Sequence, residues 1–400
     1  MHVFSLPSLV VAGLLLLTLA LAACHPDQPA RADQPTGPAL RSWATGARHV
    51  VRVAADGSLW AAGYNDGGIA GAPDSVYGLP KWGQVGTATN WAQVAAGRSH
   101  SLALTTEGRA YAWGTNRTGE LGPGLPVDDA PHPAPVPVPG HYAQVVAGNG
   151  YSLALDAEGQ LWAWGSNFSG VLGPGVSVEQ PHPAPLRLPG RWKSVAAGWY
   201  HVLALRPDGT LYAWGSNLRG QLGPGVPVSN VDHPAPVQVP GHYAQVAAGE
   251  AFSLALTAEG QLWAWGDNFN GQLATPTNSW RATHNQTPPP LPTPRLLPGR
   301  WTQVAAGTAF VLALRADGQL WAWGSNGQGE LSRSPNEDSA TPAPVPGRYT
   351  RVAAGGQHCL GLGTDGILYA WGSNDVGQLG NNTPGDYFND APHPVPTPTP

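Results

Sequence analysis

The heptapeptide LWAWGSN at residues 161–167 returns unchanged at 320–326, and with one to three changes at five further places. The glycine that closes each element of this type stands at Gly63, Gly114, Gly165, Gly215, Gly266, Gly324 and Gly372, at intervals of 48 to 58 residues. Self-similarity at such a period constrains the fold more than any other property of the chain. A unit of this size cannot bury its apolar face alone, so neighbouring units must stack and share a core. Seven units, each with several short strand-like runs, imply a propeller or a similar ring.

One unit, written from Tyr142, reads YAQVVAGNGYSLALDAEGQLWAWGSNFSGVLGPG and then a Pro-rich connector, PHPAPLRLPG. It contains four candidate strands: AQVVAG, SLALD, QLWAWG and a last one around APLRL. The second and third are joined by an acidic residue and glycine, as in AEG or PDG, the punctuation of a tight hairpin. Strand alternation sends Trp162 and Trp164 to one face and Leu161 and Ala163 to the other. Both faces are apolar, so this strand belongs between two neighbouring blades, with the indoles of one entering space left by the Ala and Gly of the next. Each indole buries about 150–250 Å², on the order of 4–6 kcal/mol of gross hydrophobic stabilisation. The Asn that follows, at Asn116, Asn167, Asn217, Asn268, Asn326 and Asn374, precedes a loop of the form NxxGQLG and is assigned to loop geometry. The charged fraction of only 11%, with 53 Gly, 42 Pro and 17 Trp, agrees with many short strands and turns, and no stretch carries helical periodicity.

The composite pattern AAGxxHxLALxxDGxLYAWGSNxxGQLGPG resembles the repeat of the regulator of chromosome condensation family, with close variants at 97–124, 198–225 and 355–380. The resemblance covers about residues 38–400. It implies an all-β fold, a seven-bladed β-propeller of about 50-residue repeats with four strands per blade. Departures are local: Ala62 replaces the usual Trp, GGIAG stands for GQLG in the first unit, and the fifth and sixth units end QLA and GELS. WD and kelch propellers fit less well, since WD units are shorter and carry a signature absent here. The chain ends APHPVPTPTP, a near copy of the connector APHPAPVPVP at 130–139. The expectation is that this C-terminal strand pairs with the first blade and closes the ring, leaving no open edge.

At the N-terminus an apolar run from Leu9 to Ala22 ends Leu21-Ala22-Ala23-Cys24. It resembles a bacterial lipoprotein signal, although MHVFSLPS carries no Lys or Arg ahead of the run. The expected organisation is a signal peptide at 1–23, a Pro-rich tether at 24–37 and a propeller at 38–400. Lipidation falls at Cys24, with a lipid-anchored place in the bacterial cell envelope, at the outer membrane or cell surface. Ordinary secretory cleavage and a retained anchor remain open alternatives. With Cys24 acylated, Cys359 has no partner for a disulfide and is expected to be a small buried filler.

In such a blade the loops after the first and third strands share one face and the DG turn lies on the other. The varying residues of the first set are candidates for partner contact: Arg98, Tyr151, Phe168, Trp199, Tyr200, Leu218, Phe252, Phe269, Phe310 and Gln357. Aromatics and Arg gathered on one rim are the composition of interface hot spots. Set against this, the His/Tyr/Phe position after AAGxx could instead plug the channel or pack under its own loop. Two long excursions, 72–90 and 274–299, are further candidates for contact. No phosphate-binding loop, HExxH, CxxC or EF-hand motif is present, and the PHP histidines His132, His182 and His393, with His233 nearby, sit one per connector, too far apart to share a metal. No cofactor is expected. The net charge of -5 with dispersed basic residues disfavours nucleic acid.

The expected function is therefore a non-enzymatic, membrane-anchored module that binds a protein or peptide through its rim. The alternatives are a carbohydrate-binding or hydrolytic envelope enzyme and a secreted inhibitor of another enzyme. The family supplies two precedents, a nuclear exchange factor for a small GTPase that binds chromatin and a secreted bacterial inhibitor of a β-lactamase. Compartment and charge argue against the first.

Overall fold

The four apolar runs of each repeat become one four-stranded antiparallel sheet, and there are seven such sheets, each built from strands consecutive in the chain. These are seen in a computed structural model that describes residues 40–73, 76–275, 289–333 and 337–380, with the backbone of 393–398. The blades span 40–84, 91–141, 144–188, 194–242, 245–297, 303–344 and 349–398. The first strands of successive blades touch in order and the first strand of blade 7 touches that of blade 1, so the sheets form a ring with their first strands innermost. The expected all-β, seven-bladed propeller is what the chain forms. The proposed signal peptide, tether and Cys24 lie outside the described residues.

Blade 3 shows why the repeat reads as it does. Tyr151–Leu155 pairs with Leu161–Gly165 in the register Tyr151↔Gly165, Leu153↔Ala163 and Leu155↔Leu161. The hairpin between them turns at Gly159 (φ +78°), where a Cβ would stand 2.6 Å from the Trp192 carbonyl oxygen, and Asp156 accepts the N–H of Gln160. The fourth strand, His182–Leu188, is rich in proline. Proline cannot donate to a ladder on its free side, so this run is confined to the outer edge of the blade.

The two tryptophans of LWAWG share a face but do different work. The second of the pair, at Trp113, Trp164, Trp214, Trp265, Trp323 and Trp371, is completely buried. Each donates its indole N–H to a backbone carbonyl in the preceding blade: Ile69 (3.0 Å), Glu120 (2.9 Å), Val171 (2.8 Å), Gln221 (2.9 Å), Gln272 (2.9 Å) and Glu330 (2.9 Å). The apolar part of Trp164 packs on Leu102, Leu104, Ala110 and Ala112 of blade 2, which is the bulky-against-slim fit expected from the alternation. Trp162, by contrast, is partly exposed and donates to Asp156 of its own hairpin at 3.1 Å. The Asn positions are loop clamps as expected: Asn167 accepts from the Leu172 N–H and donates to the Val176 carbonyl. Cys359 is fully buried.

Ring closure differs from expectation. The C-terminal strand His393–Pro398 pairs with Leu368–Gly372 of its own blade, with Gly372 opposite His393. Blade 1 is completed by its own fourth strand, Gly78–Gln84, which lies inside the stretch 72–90 taken as an excursion. Likewise Leu291–Leu297, inside 274–299, is the outer strand of blade 5. Because all four runs of a repeat are contiguous, each strand finds its partner locally and none is left over to bridge the ends. Side chains close the ring instead: Trp43, Val50, Ala62 and Trp82 pack on Leu360, Leu368, Ala370 and Leu379. The Gly356 N–H bonds to the Gly46 carbonyl at 3.0 Å, Arg48 pairs with Asp375, and Arg351 stacks over Trp43.

Candidate binding face

The loop after each first strand leads into one ring-bearing position: His49, His100, Tyr151, His201, Phe252, Phe310 and His358. All are at most 1% exposed. Tyr151, Phe252 and Phe310, expected on the rim, are therefore corrected to interior residues. The cause is the glycine three positions earlier. A Cβ on Gly148, Gly249 or Gly307 would stand 2.3, 2.0 and 2.1 Å from the respective ring, so these glycines let the ring fold back over the backbone.

The rings meet the next blade in matched pairs. His49, His100 and His201 place Nε2 within 2.8, 2.8 and 2.9 Å of the hydroxyls of Ser101, Ser152 and Ser253. Each serine donates its single proton to the carbonyl that also receives the indole: Ile69, Glu120 and Gln221. The hydroxyl can then only accept, which assigns the histidine proton to Nε2. In the same register Tyr151 and Phe252 precede blades that offer Val202 and Val311. The Tyr151 hydroxyl instead donates to the Gly198 and His201 carbonyls. Burial holds the first three histidines down at about 3 and His358 at about 4, so all four rings are neutral near pH 7.

The remaining candidates stand on the surface. Arg98, Phe168, Leu218 and Gln357 are exposed, while Trp199, Tyr200 and Phe269 are half-buried. Five of these gather over blades 2 to 4. The Arg98 guanidinium of blade 2 stacks over Trp199 of blade 4 at 5.0 Å, bridging blade 3, and Trp199 meets Tyr200 edge to face at 6.3 Å. Phe168 is 72% exposed and Leu218 is 53% exposed, at loop tips that hold Asp66, Arg117 and Asp375 in other blades. Phe269 lies on blade 5 and Gln357 on blade 7, outside this group.

A cleft of about 380 Å³ opens between these loops, walled by Arg117, Thr118, Asn149, Phe168, Trp199 and Tyr200. Its floor carries Glu120, only 2% exposed, whose carboxylate accepts from the Thr115 hydroxyl and from the Thr118 N–H and hydroxyl. Nearby on blade 5, Glu250 is raised above the usual carboxylate range by burial first and the Asp267 charge second, with Arg98 and Arg219 opposing. Sequence reasoning missed Asn149 and the exposed valines Val127, Val178 and Val228. The valines were detectable, since GPGLPV, GPGVSV and GPGVPV recur in blades 2 to 4. The axial channel is narrow, about 100 Å³, and lined by the Gly collar of every blade. Two of the connector histidines serve their own loops, His132 meeting Asp128 at 3.0 Å and His182 the Ser177 carbonyl at 2.8 Å.

Fold and face together define a seven-bladed propeller that presents its variable loops on one side. The RCC1-like domain model matches residues 21–288, and the regulator of chromosome condensation (RCC1) repeat matches 301–330 and 349–378 and again 317–362 and 365–400. The chain belongs to the RCC1-like domain family. It is similar to the RCC1 domain-containing protein RUG3, mitochondrial, of Arabidopsis thaliana, 30% identical over 290 residues, covering 70% of this chain and 52% of the relative. Human WBSCR16 shares the fold with a TM-score of 0.74 at 23% identity, covering 86% of this chain and 94% of the other. Prp20p of Saccharomyces cerevisiae, a structure described with its binding properties to Gsp1p and histones, gives 0.70 at 21% identity and 84% coverage of each. The chain spans 5% to 52% of the length of the curated relatives it matches.

Proposed function

We propose that the protein is a non-enzymatic binding module that holds a protein or peptide partner on the loop face over blades 2 to 4. The observation that carries this reading is the exposed Phe168 on the wall of a cleft that Trp199 and Tyr200 also line, with Arg98 stacked over Trp199. A large aromatic left 72% in water contributes little to its own fold, and its placement at a concave, Arg-flanked surface is that of an interface anchor. The protein partners named for the yeast structure are consistent with a propeller of this family serving as a docking platform.

The test compares the wild-type chain with a Phe168→Ala, Trp199→Ala double variant in a quantitative pull-down. Partners retained by the wild type should fall at least about tenfold on the variant, the loss of two anchors being worth more than 1.4 kcal/mol. Identical recovery from both refutes the face.

Export and lipid attachment at Cys24 form a second part of the proposal, supported by the run Leu9–Ala22 and the Leu-Ala-Ala-Cys ending. A Cys24→Ser variant should leave the membrane fraction and become soluble. Unchanged retention would remove the anchor from the proposal.

A further inference from the structure

The hydrogen-bonding inventory of the cleft narrows the kind of partner, and this step rests on the reading that the face binds a peptide or protein. The acidic acceptor there is already engaged. Among the described residues the cleft wall carries one carboxylate, Glu120, which is buried against the Thr118 N–H and the hydroxyls of Thr115 and Thr118. Donors remain. Arg98 lines the adjoining axial channel, and its exposed guanidinium lies 5.0 Å over the Trp199 ring at the edge of the cleft, with no ion pair among the described residues. Among the described residues Arg117 is held by Asp129 alone, with both side chains mostly exposed, a pairing that contributes little and exchanges readily.

The axial collar adds two more donors. Backbone bonds link blade to blade from Ala47 to Gly97, Arg98 to Gly148, Glu250 to Thr308, Thr308 to Gly356 and Gly356 to Gly46. Asn149 and Trp199, at the matching places in blades 3 and 4, make no such bond among the described residues. Both residues line the cleft. Buried or half-buried donors without acceptors favour a ligand that supplies oxygen atoms, and arginine favours a charged one.

We propose that the cleft over blades 2 to 4 takes an extended peptide segment in which a carboxylate side chain lies beside a large apolar one. The carboxylate meets Arg98 and the donors of Asn149, and the apolar side chain covers Phe168 and Trp199. A cavity of about 380 Å³ admits a few residues of an extended chain and not a folded element. It also lies at the low end of the range of about 300–1,000 Å³ typical of ligand pockets.

The experiment pans a phage library of random heptapeptides on the immobilised full chain. It then measures fluorescence anisotropy of the selected peptides on the wild type, Phe168→Ala and Arg98→Gln, all checked for an unchanged circular dichroism spectrum. Selected sequences should be enriched in Asp or Glu next to Phe, Leu, Ile, Met, Trp or Tyr. Arg98→Gln should weaken them about tenfold, and exchanging the peptide acid for its amide should do the same, as expected for one charge-assisted contact. The two losses should not add, because they remove the same contact. Selection of carboxylate-free sequences that still depend on Phe168 overturns the acidic assignment while the peptide-binding face stands. Selection that ignores Phe168 overturns both. Displacement of the peptides by chitohexaose, with direct binding of that sugar, would assign the cleft to carbohydrate and overturn the proposal as well.

Discussion

At the residue scale, the molecule is governed by which ring faces which small side chain across each seam. Three seams match a histidine to a serine, two match an aromatic ring to valine, and one matches Phe310 to Cys359. His358 is the exception. Its blade is followed in the ring by blade 1, which offers Val50 in the serine slot, and neither ring nitrogen makes a well-formed hydrogen bond. Replacing His358 by Phe, as at Phe310, should raise the urea midpoint at pH 7. His201→Phe should lower the unfolding free energy by about 1 kcal/mol, and the urea midpoint with it, because Ser253 loses the N–H it accepts. The same rings set the acid response. With folded values of about 3 to 4 against an ordinary 6.5, the unfolded chain binds more protons throughout that interval. The histidine contribution is therefore fully favourable above about pH 6.5 and declines as pH falls toward 3. Urea midpoints measured from pH 7.5 to 4 should drop, with a smaller drop in His358→Phe; a flat profile would contradict the burial of these rings.

At the scale of the element, a blade is four locally paired strands whose cohesion with its neighbour runs through the third. Where the second Trp of LWAWG is present, one carbonyl of the preceding blade takes the indole, and in the His–Ser seams it takes a hydroxyl too. Trp214→Phe keeps most of the apolar area but leaves the Val171 carbonyl unpaired, so a loss of about 1–3 kcal/mol is expected in chemical denaturation. Trp162→Phe, which removes only a partly exposed contact to Asp156, should cost less than about 1 kcal/mol. Equal losses would mean that the two indoles are not divided between seam and hairpin. The strand content, the hairpin register and the Asn clamps were legible from the repeat because they depend on neighbours in sequence. The division of labour between Trp162 and Trp164 was not, since alternation places both on one face and only the adjacent blade distinguishes them.

At the scale of the whole molecule, the ring has one seam unlike the rest. Blade 1 carries Ala62 where the others carry the indole donor and Val50 where others carry serine, so the junction of blades 7 and 1 lacks both hydrogen bonds to the preceding carbonyl. Packing of Trp43 and Trp82, the Arg48–Asp375 pair and one collar bond take their place. Native-state hydrogen exchange should show the second strands of these two blades, His49–Ala54 and His358–Gly363, opening before the corresponding strands of blades 4 and 5. Uniform protection around the ring would refute a weaker closing seam. The binding face is also a property of the whole. Arg98, Phe168 and Trp199 come from three different repeats and meet because the ring brings successive loops to one side.

The repeat by itself determined seven blades, four strands in each, and their apolar flanks, because a period of about fifty residues and an alternation of two are written in the order of side chains. Only the tertiary structure decided which rings turn inward over a glycine collar, how the ends meet without sharing a strand, and which donors are left without acceptors. Those outcomes are settled by how each ring, strand end and donor meets the collar and the neighbouring blade, where a local pattern is the same for a side chain facing the next blade and for one facing water.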